Sequence, residues 1–366
     1  AANQRHVEEQ VPSPVLLQLL PTNTPESTPS MQRGSFHGAG GTLLGMQIVN
    51  VCLTIVTLGA YHFWAKAKIR RYLFSQTAFA GDRFAYHGTG KELYQGFLKA
   101  TVVFGIPYFS LGAAHSFLAL PQSVDFLLQA MAALVLFLYV PVAIVNARRY
   151  RCTRTSWRGI RFSFRGRTVD FLKLYFKGWL FTLLTLGTYY PYFQTQRQAF
   201  LHSHTYFGNQ RFQFTGHGSG LMVPFAVTLF TTYAVLCLCG LALALQLTNA
   251  GLTLLLIPFV LGPVWVWLLG QKQKYYWDHT TFGEARFSSS ITWQKLFGLY
   301  LGNLALLLLT LGWAWPWVTV RNARFFIGTL SLQGLTDLDR VLQDTTETSV
   351  TGEGLSNLLD TGFDMD

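Results

Sequence analysis

Apolar positions gather in seven runs, at about 43–65, 97–117, 126–147, 178–196, 221–244, 251–270 and 296–320, with basic and aromatic residues between them. Across 101–147 the only Asp, Glu, His, Lys or Arg residues are His115 and Asp125, and across 218–271 there are none. Each of these stretches holds about two spans of roughly 20 apolar residues, the length that crosses a hydrocarbon core. With only 12% charged residues in the whole chain, buried helices of a soluble domain are a poor fit. The pattern predicts an all-α polytopic membrane protein with internal repeats, its membrane helices joined by short β-hairpins.

The repetition has two parts. VTLGAYHFWAKAKIRRYLF (56–74), LTLGTYYPYFQTQRQAFLH (184–202) and LTLGWAWPWVTVRNARFF (309–326) each end an apolar run with Thr-Leu-Gly, then give aromatics, and then basic residues. After basic clusters comes the template aromatic-x4-Thr-x-[Phe/Trp]-x3-Arg-Phe, matched without a gap at 72–84, 150–162, 200–212 and 275–287. Such self-similarity signals duplication. The alternating Thr-x-aromatic and Arg-Phe segments around Gly81, Gly159, Gly208 and Gly283 read as hairpins. Three related repeats are expected at about 35–100, 162–225 and 287–334, with helical pairs between them. GTGK at 88–91 lacks the spacing and the following Ser or Thr of a phosphate loop. The glycines there are read as letting the chain turn back toward the membrane.

Two topologies fit. If all seven apolar runs cross, the two halves are inverted repeats, an architecture common in secondary transporters. If instead the three Thr-Leu-Gly segments bend at Gly59, Gly187 and Gly312, every Lys and Arg of 35–334 lies on one side and all four hairpins share a compartment. Residues 43–59 are 17 positions, about 25 Å of helix and slightly short of a span. The charge pattern and the repeated hairpin favour the bend.

Intramembrane polar residues are the default functional candidates. Asn50 and Asn303 both stand seven residues before the Thr of Thr-Leu-Gly, where the second copy has Gly178. They suit hydrogen bonds to each other or to freed carbonyls, or a substrate site together with Thr57, Thr185 and Thr310. Those threonines can also bond back to the preceding turn and support a bend. Arg83, Arg161, Arg211 and Arg286 close the hairpin template and suit lipid headgroups or neighbouring carbonyls. His62 and His115 read as interface residues, while His202, His204 and His279 read as surface residues beside basic clusters. No nucleophile–base set, paired intramembrane carboxylates or metal-ligand spacing stands out, so neither an enzyme, a cofactor nor a metal is expected.

Charge sorts the rest. Residues 35–334 carry 25 Lys or Arg against six Asp or Glu, placed at span ends where they meet anionic phospholipid headgroups rather than nucleic acid. Residues 1–34 read as a disordered tail without a signal peptide. Residues 335–366 hold eight acidic residues and one Arg, an acidic tail suited to a protein partner. Cys52, Cys152, Cys237 and Cys239 offer no disulfide framework.

The Thr-Leu-Gly, aromatic-Pro and basic element, followed by the Arg-Phe hairpin and GTGKEL (88–93), resembles the YjgN-type bacterial inner-membrane proteins over about 35–334. The resemblance implies a multi-pass protein of the bacterial inner membrane whose family has no defined molecular function and no catalytic residues to carry over. The departures are Gly178 and the absence of an Arg-Phe hairpin after Arg324. The expected function is a transporter or channel-like protein for a small solute, with a non-catalytic membrane scaffold binding anionic lipid or a protein as the alternative.

Overall fold

The computed structural model describes residues 32–117 and 121–334. Strand β1 (Gln32–Phe36) leads into helices α1 (Gly40–Val56) and α2 (His62–Gln76), then the hairpin β2 (Thr77–Phe79) and β3 (Asp82–Tyr86). Helix α3 (Gly90–Ala100) runs through a π-turn (Thr101–Gly105) into α4 (Ile106–Phe117), and α5 (Gln122–Arg154) returns to β4 (Thr155–Trp157) and β5 (Ile160–Phe164). The helices α6 (Thr168–Leu184) and α7 (Tyr190–Ser203) precede β6 (Thr205–Phe207) and β7 (Gln210–Phe214). Next come α8 (Met222–Ala244) and α9 (Ala250–Asp278), with β8 (Thr280–Phe282) and β9 (Ala285–Ser289). The described chain finishes with α10 (Trp293–Leu309), α11 (Trp315–Gly328) and β10 (Leu330–Gln333). Among the described residues, four helical stretches, Gly90–Ala114, Gln122–Arg154, Gly218–Ala244 and Gly251–Asp278, are long and apolar enough to cross a membrane.

The ten strands form one closed antiparallel barrel, in the order β1-β10-β9-β8-β7-β6-β5-β4-β3-β2. The expectation of an all-α protein is overturned here. An isolated hairpin leaves backbone N–H and C=O groups unpaired on both outer edges. Side by side, each hairpin satisfies the next: Phe84 pairs with Trp157, Phe162 with Phe207, and Phe212 with Phe282. The ring is closed by β1 and β10, from the two ends of the described chain, where Arg33 pairs with Ser331 and Gln32 with Leu332. That is the register of the continuous hairpins, in which Arg161 pairs with Ser156 and Ile160 with Trp157. The hairpin missing after Arg324 is therefore completed from the opposite end. Residues 32–34, counted with the N-terminal tail above, belong to β1; 1–31 and the acidic 335–366 lie outside the described residues.

Every helix pair leaves the barrel and comes back to it, so all four continuous hairpins lie together. An arrangement with hairpins alternating between opposite faces is excluded. The turn-back happens at Thr-Leu-Gly. Leu58, Leu186 and Leu311 and the glycines after them all have positive φ, between 48° and 93°. Two consecutive left-handed residues reverse the chain tightly; the glycine adopts this freely, whereas the leucine is strained by roughly 1–2 kcal/mol. The threonine offsets the cost. Thr57 Oγ1 donates to the Leu53 carbonyl at 2.7 Å and accepts the Tyr61 N–H at 2.9 Å, stitching the end of α1 to the start of α2. Thr185 does the same for Phe181 and Tyr189, and Thr310 for Leu306 and Ala314.

Neighbouring pairs lock through small residues. A Cβ on Gly90 would come within 2.5 Å of the Trp64 ring, and one on Gly40 within 2.5 Å of Trp317, so these glycines admit the aromatic five residues after each bend. The same logic explains Gly178. A side chain there would overlap the ring of Phe193, which fills the place that Asn50 and Asn303 take up in their helices.

Candidate functional site: the barrel chamber

The hairpin template is a recipe for a barrel wall. Its threonine ends a helix, where carbonyls lack intrahelical donors. Thr77, Thr155, Thr205 and Thr280 each donate to the carbonyl four residues back, at 2.9, 2.8, 2.7 and 2.6 Å. Its leading aromatic clamps the loop of a neighbouring hairpin: Tyr72 Oη bonds both the N–H and carbonyl of Ala39, and Tyr275 Oη both those of His217. Strand alternation does the rest. Arg83, Arg161, Arg211 and Arg286 are exposed on the outside, and the phenylalanines after them turn inward.

Inside, the aromatics form a continuous course. Phe84, Phe162, Phe212 and Phe287 follow one another with centroids 6.5, 6.4 and 6.2 Å apart and nearly parallel planes. Trp157, Phe207 and Phe282 interleave with them and are buried. The space they line is about 480 Å³. It is not uniformly apolar. At the end where the helices attach, Thr155, Thr205 and Thr280 face it together with Arg148, Arg151, Cys152 and His202. Arg148 Nη2 lies 3.4 Å from Thr205 Oγ1, and Thr280 Oγ1 lies 3.5 Å from His202 Nδ1. Burial, and then the nearby Arg148 charge, hold the His202 imidazole down at about 4, so it is neutral at physiological pH. Among the described residues, none that line the chamber is acidic.

His202 corrects the surface reading of that residue. Its signal was present in the spacing: Phe74, Cys152, His202 and Trp277 all stand three residues before the template position of Thr or its equivalent, and all line the chamber. Arg148 stands one further turn back on the same helix face as Cys152 and Thr155. His204 and His279, by contrast, bond the carbonyls of Phe200 and Tyr275 on their own helices.

The other candidates lie apart from the chamber. Asn303 donates to Asn322 at 2.7 Å rather than to Asn50. Asn50 is buried, and neither polar atom of its side chain finds a partner among the described residues. Thr57 and Thr185 are exposed and Thr310 half-buried at the bends. His62 is exposed against Phe63; the side chain of His115 lies outside what is described. Among the described residues no group of three or more His, Cys, Asp or Glu is placed to hold a metal ion.

A family model described as "Bacterial protein of unknown function (DUF898)" matches residues 31–358. The chain is also similar to "Inner membrane protein YjgN" of Escherichia coli O157:H7, 35% identical over 130 residues, which are 35% of this chain and 30% of that protein. The proteins of the same name from E. coli K12 and Salmonella typhimurium are 32% and 29% identical over 130 residues, again 30% of their own length. No solved structure matches significantly. With the family model spanning nearly the whole described chain, this is a membrane protein that belongs to the DUF898 family of bacterial proteins of unknown function, of the YjgN type.

Proposed function

We propose that this is a multi-pass inner-membrane protein of the transporter or channel-like class, non-enzymatic, whose small solute occupies the barrel chamber rather than a site between Asn50 and Asn303. The observation that supports this reading is the chamber: about 480 Å³, within the range of small-molecule pockets, walled by every hairpin and fringed by polar groups at the helix end. In this reading the four long helices cross the bilayer, and the three bent pairs enter and leave by the same face. Support for the bend comes from its tips. Leu58, Leu186 and Leu311 are 97, 82 and 91% exposed while held in a strained left-handed conformation, a sensible place for leucine only in hydrocarbon. We further read the chain as five duplicated helix-pair units, the fifth hairpin being shared between β1 and β10, in place of three.

The test is osmotic swelling of proteoliposomes in isosmotic glycerol, potassium acetate and choline chloride, using protein whose only cysteine is Cys152. At least one solute is expected to enter faster than into protein-free liposomes, and a bulky thiol reagent on Cys152 is expected to stop it. No accelerated entry, or entry that the block leaves unchanged, sinks the reading.

One observation favours the scaffold as a second reading: the template arginines all stand on the outer wall of the barrel. Replacing Arg83, Arg161, Arg211 and Arg286 by Gln would then abolish binding to anionic vesicles. In a transporter the same change leaves solute entry intact.

A further inference from the structure

We infer that the chamber selects a compact free anion with an aromatic or similarly apolar body, its charge held at Arg148 and its body against the wall formed by Trp157, Phe162 and Phe207. This deepens the chamber reading and rests on it. The charge site is built from one end of the cavity. Arg148 reaches the lining from α5; among the described residues its Nε is buried without a partner, and its Nη2 has only the long contact to the Thr205 hydroxyl at 3.4 Å. A half-buried guanidinium with donor capacity left over can take a further acceptor. Its natural complement is a carboxylate, sulfonate or phosphate oxygen, which the planar fork can grip through two N–H groups. Among the described residues the lining supplies no such group, because none that line it is acidic. Arg151 adds a second positive charge at the same end. Neutral His202, with Thr280 beside it, offers uncharged hydrogen-bonding groups around the anion.

The rest of the cavity fixes the body of the ligand. Trp157 and Phe207 lie 5.5 Å apart and Phe162 and Phe207 4.8 Å apart, centroid to centroid, so they touch one another as a continuous wall, and a ligand body lies against that wall in the cavity. Flat apolar groups suit such walls. Aromatic cages also hold cations, and that is the main rival. Here the positive groups at the helix end oppose it: a cation among these rings would sit beneath Arg148 and Arg151 with no carboxylate among the described lining residues to offset them. A phospholipid is the other source of an anion beside membrane helices. A lipid headgroup on Arg148 would keep its acyl chains up among the helices and leave the aromatic space unfilled, so a free solute uses the whole cavity and a lipid does not.

The full-length protein in phosphatidylcholine nanodiscs is titrated by calorimetry with three water-soluble probes: naphthalene-2-sulfonate, the neutral naphthalene-2-sulfonamide and the cation benzyltrimethylammonium. Empty nanodiscs serve as the reference. The sulfonate is expected to bind about tenfold or more tightly than the sulfonamide, as a charge-assisted hydrogen bond in a sheltered site would give, and the ammonium not measurably. Arg148→Gln is expected to bring the sulfonate down to the affinity of the sulfonamide, and Phe162→Ala to weaken both. Equal binding of sulfonate and sulfonamide overturns the anion selection while leaving the chamber reading standing, whereas failure of both probes removes the anion site and counts against the chamber as well. Preference for the ammonium replaces the proposal with a cation cage. Loss of sulfonate binding in proportion to added phosphatidylglycerol overturns the free-solute assignment in favour of a lipid headgroup. The comparison of probes on the unaltered protein decides the matter even if Arg148→Gln does not fold.

Discussion

Four of the barrel's hairpins are continuous and one is assembled from strands some 300 residues apart, and the contrast shows what a hairpin needs here. Backbone register is the same in both kinds: Arg33 faces Ser331 as Arg161 faces Ser156. Side chains differ. Each continuous hairpin puts two aromatics into the chamber, whereas the assembled one offers Leu330 and Leu332 from β10, and Gly34 where the others have the Phe of Arg-Phe. A Cβ on Gly34 would stand 2.7 Å from the Ile327 carbonyl oxygen, so α11 occupies that space. The seam is thus closed by backbone pairing and a close helix contact, and the continuous side by aromatic packing.

The most severe way to break this contrast is to remove β1. Deleting residues 32–36 leaves β2 and β10 as bare edges, and takes away Phe36, which is buried against Leu43 and Val320. Exposed edges recruit other chains. The expected outcome is loss of the monodisperse species on size exclusion in detergent, with aggregation in its place. A well-behaved protein after this deletion would mean that the barrel does not depend on its seam.

A smaller effect probes the continuous side through His202. Its imidazole is held at about 4 against an unfolded value near 6.5, chiefly by burial and then by Arg148. Between those values the unfolded chain takes up a proton that the folded chain refuses. Stability is therefore undiminished above pH 6.5 and falls as the pH drops toward 4, by about 3 kcal/mol at most. Replacing His202 by Gln removes this contribution, so the slope of denaturant midpoint against pH should flatten between 6.5 and 4. An unchanged slope would show that His202 does not sense the chamber.

Next comes a matched pair across the two regions. Gly90→Val forces a side chain against Trp64 within the continuous chain, and Gly40→Val does so against Trp317 across the seam. Overpacking of this kind typically destabilises by about 2 kcal/mol. Because the seam has no covalent connection, the Gly40 variant should be the worse of the two, read as the lower midpoint in a chaotrope titration. Equal losses would say that the seam is no weaker than its neighbours.

The sequence displayed the walls of this site more openly than its closure. Spacing between Thr155, Trp157, Arg161 and Phe162, copied four times, was enough to mark hairpins, because alternation and a two-residue turn are local properties. Closure is not local. QRGSF at 32–36 lacks the Phe of the template because Ile327 crowds that position, and LSLQ at 330–333 lacks both Thr and aromatic, so neither half matched. His202 and Arg148 were hidden for a related reason. By polarity their helices look like basic span ends, whereas their relevance comes from standing three and seven residues before the threonine of their own helix, a face that matters only once a barrel exists beneath it. Asn50 and Asn303 drew attention as intramembrane amides, yet the second copy dispenses with one by placing Phe193 over Gly178.

The finest distinction concerns the bends, which occur on both sides of the comparison. Thr185 belongs to the continuous part, and Thr57 and Thr310 to the two pairs flanking the seam. Valine has almost the same shape as threonine but its side chain neither donates nor accepts, so Thr→Val at each bend removes the hydroxyl that bridges two helices; the carbonyl keeps the backbone N–H of the same position, while the N–H of Tyr61, Tyr189 or Ala314 loses its hydroxyl acceptor. In water that N–H finds another acceptor, and the cost stays near 1 kcal/mol or below. In hydrocarbon it does not, and an unsatisfied backbone group there is costlier. The expected result is a loss of about 1 kcal/mol in detergent at all three bends, becoming larger in nanodiscs, where lipid rather than water surrounds the tip. If Thr310→Val were costly while Thr57→Val and Thr185→Val stayed silent in nanodiscs, the bends would not share one environment, since Thr310 alone of the three is half-buried by protein. Equal losses in both media at every bend would place the leucine tips in water, and the strained turns would then need a different reason to carry exposed leucine.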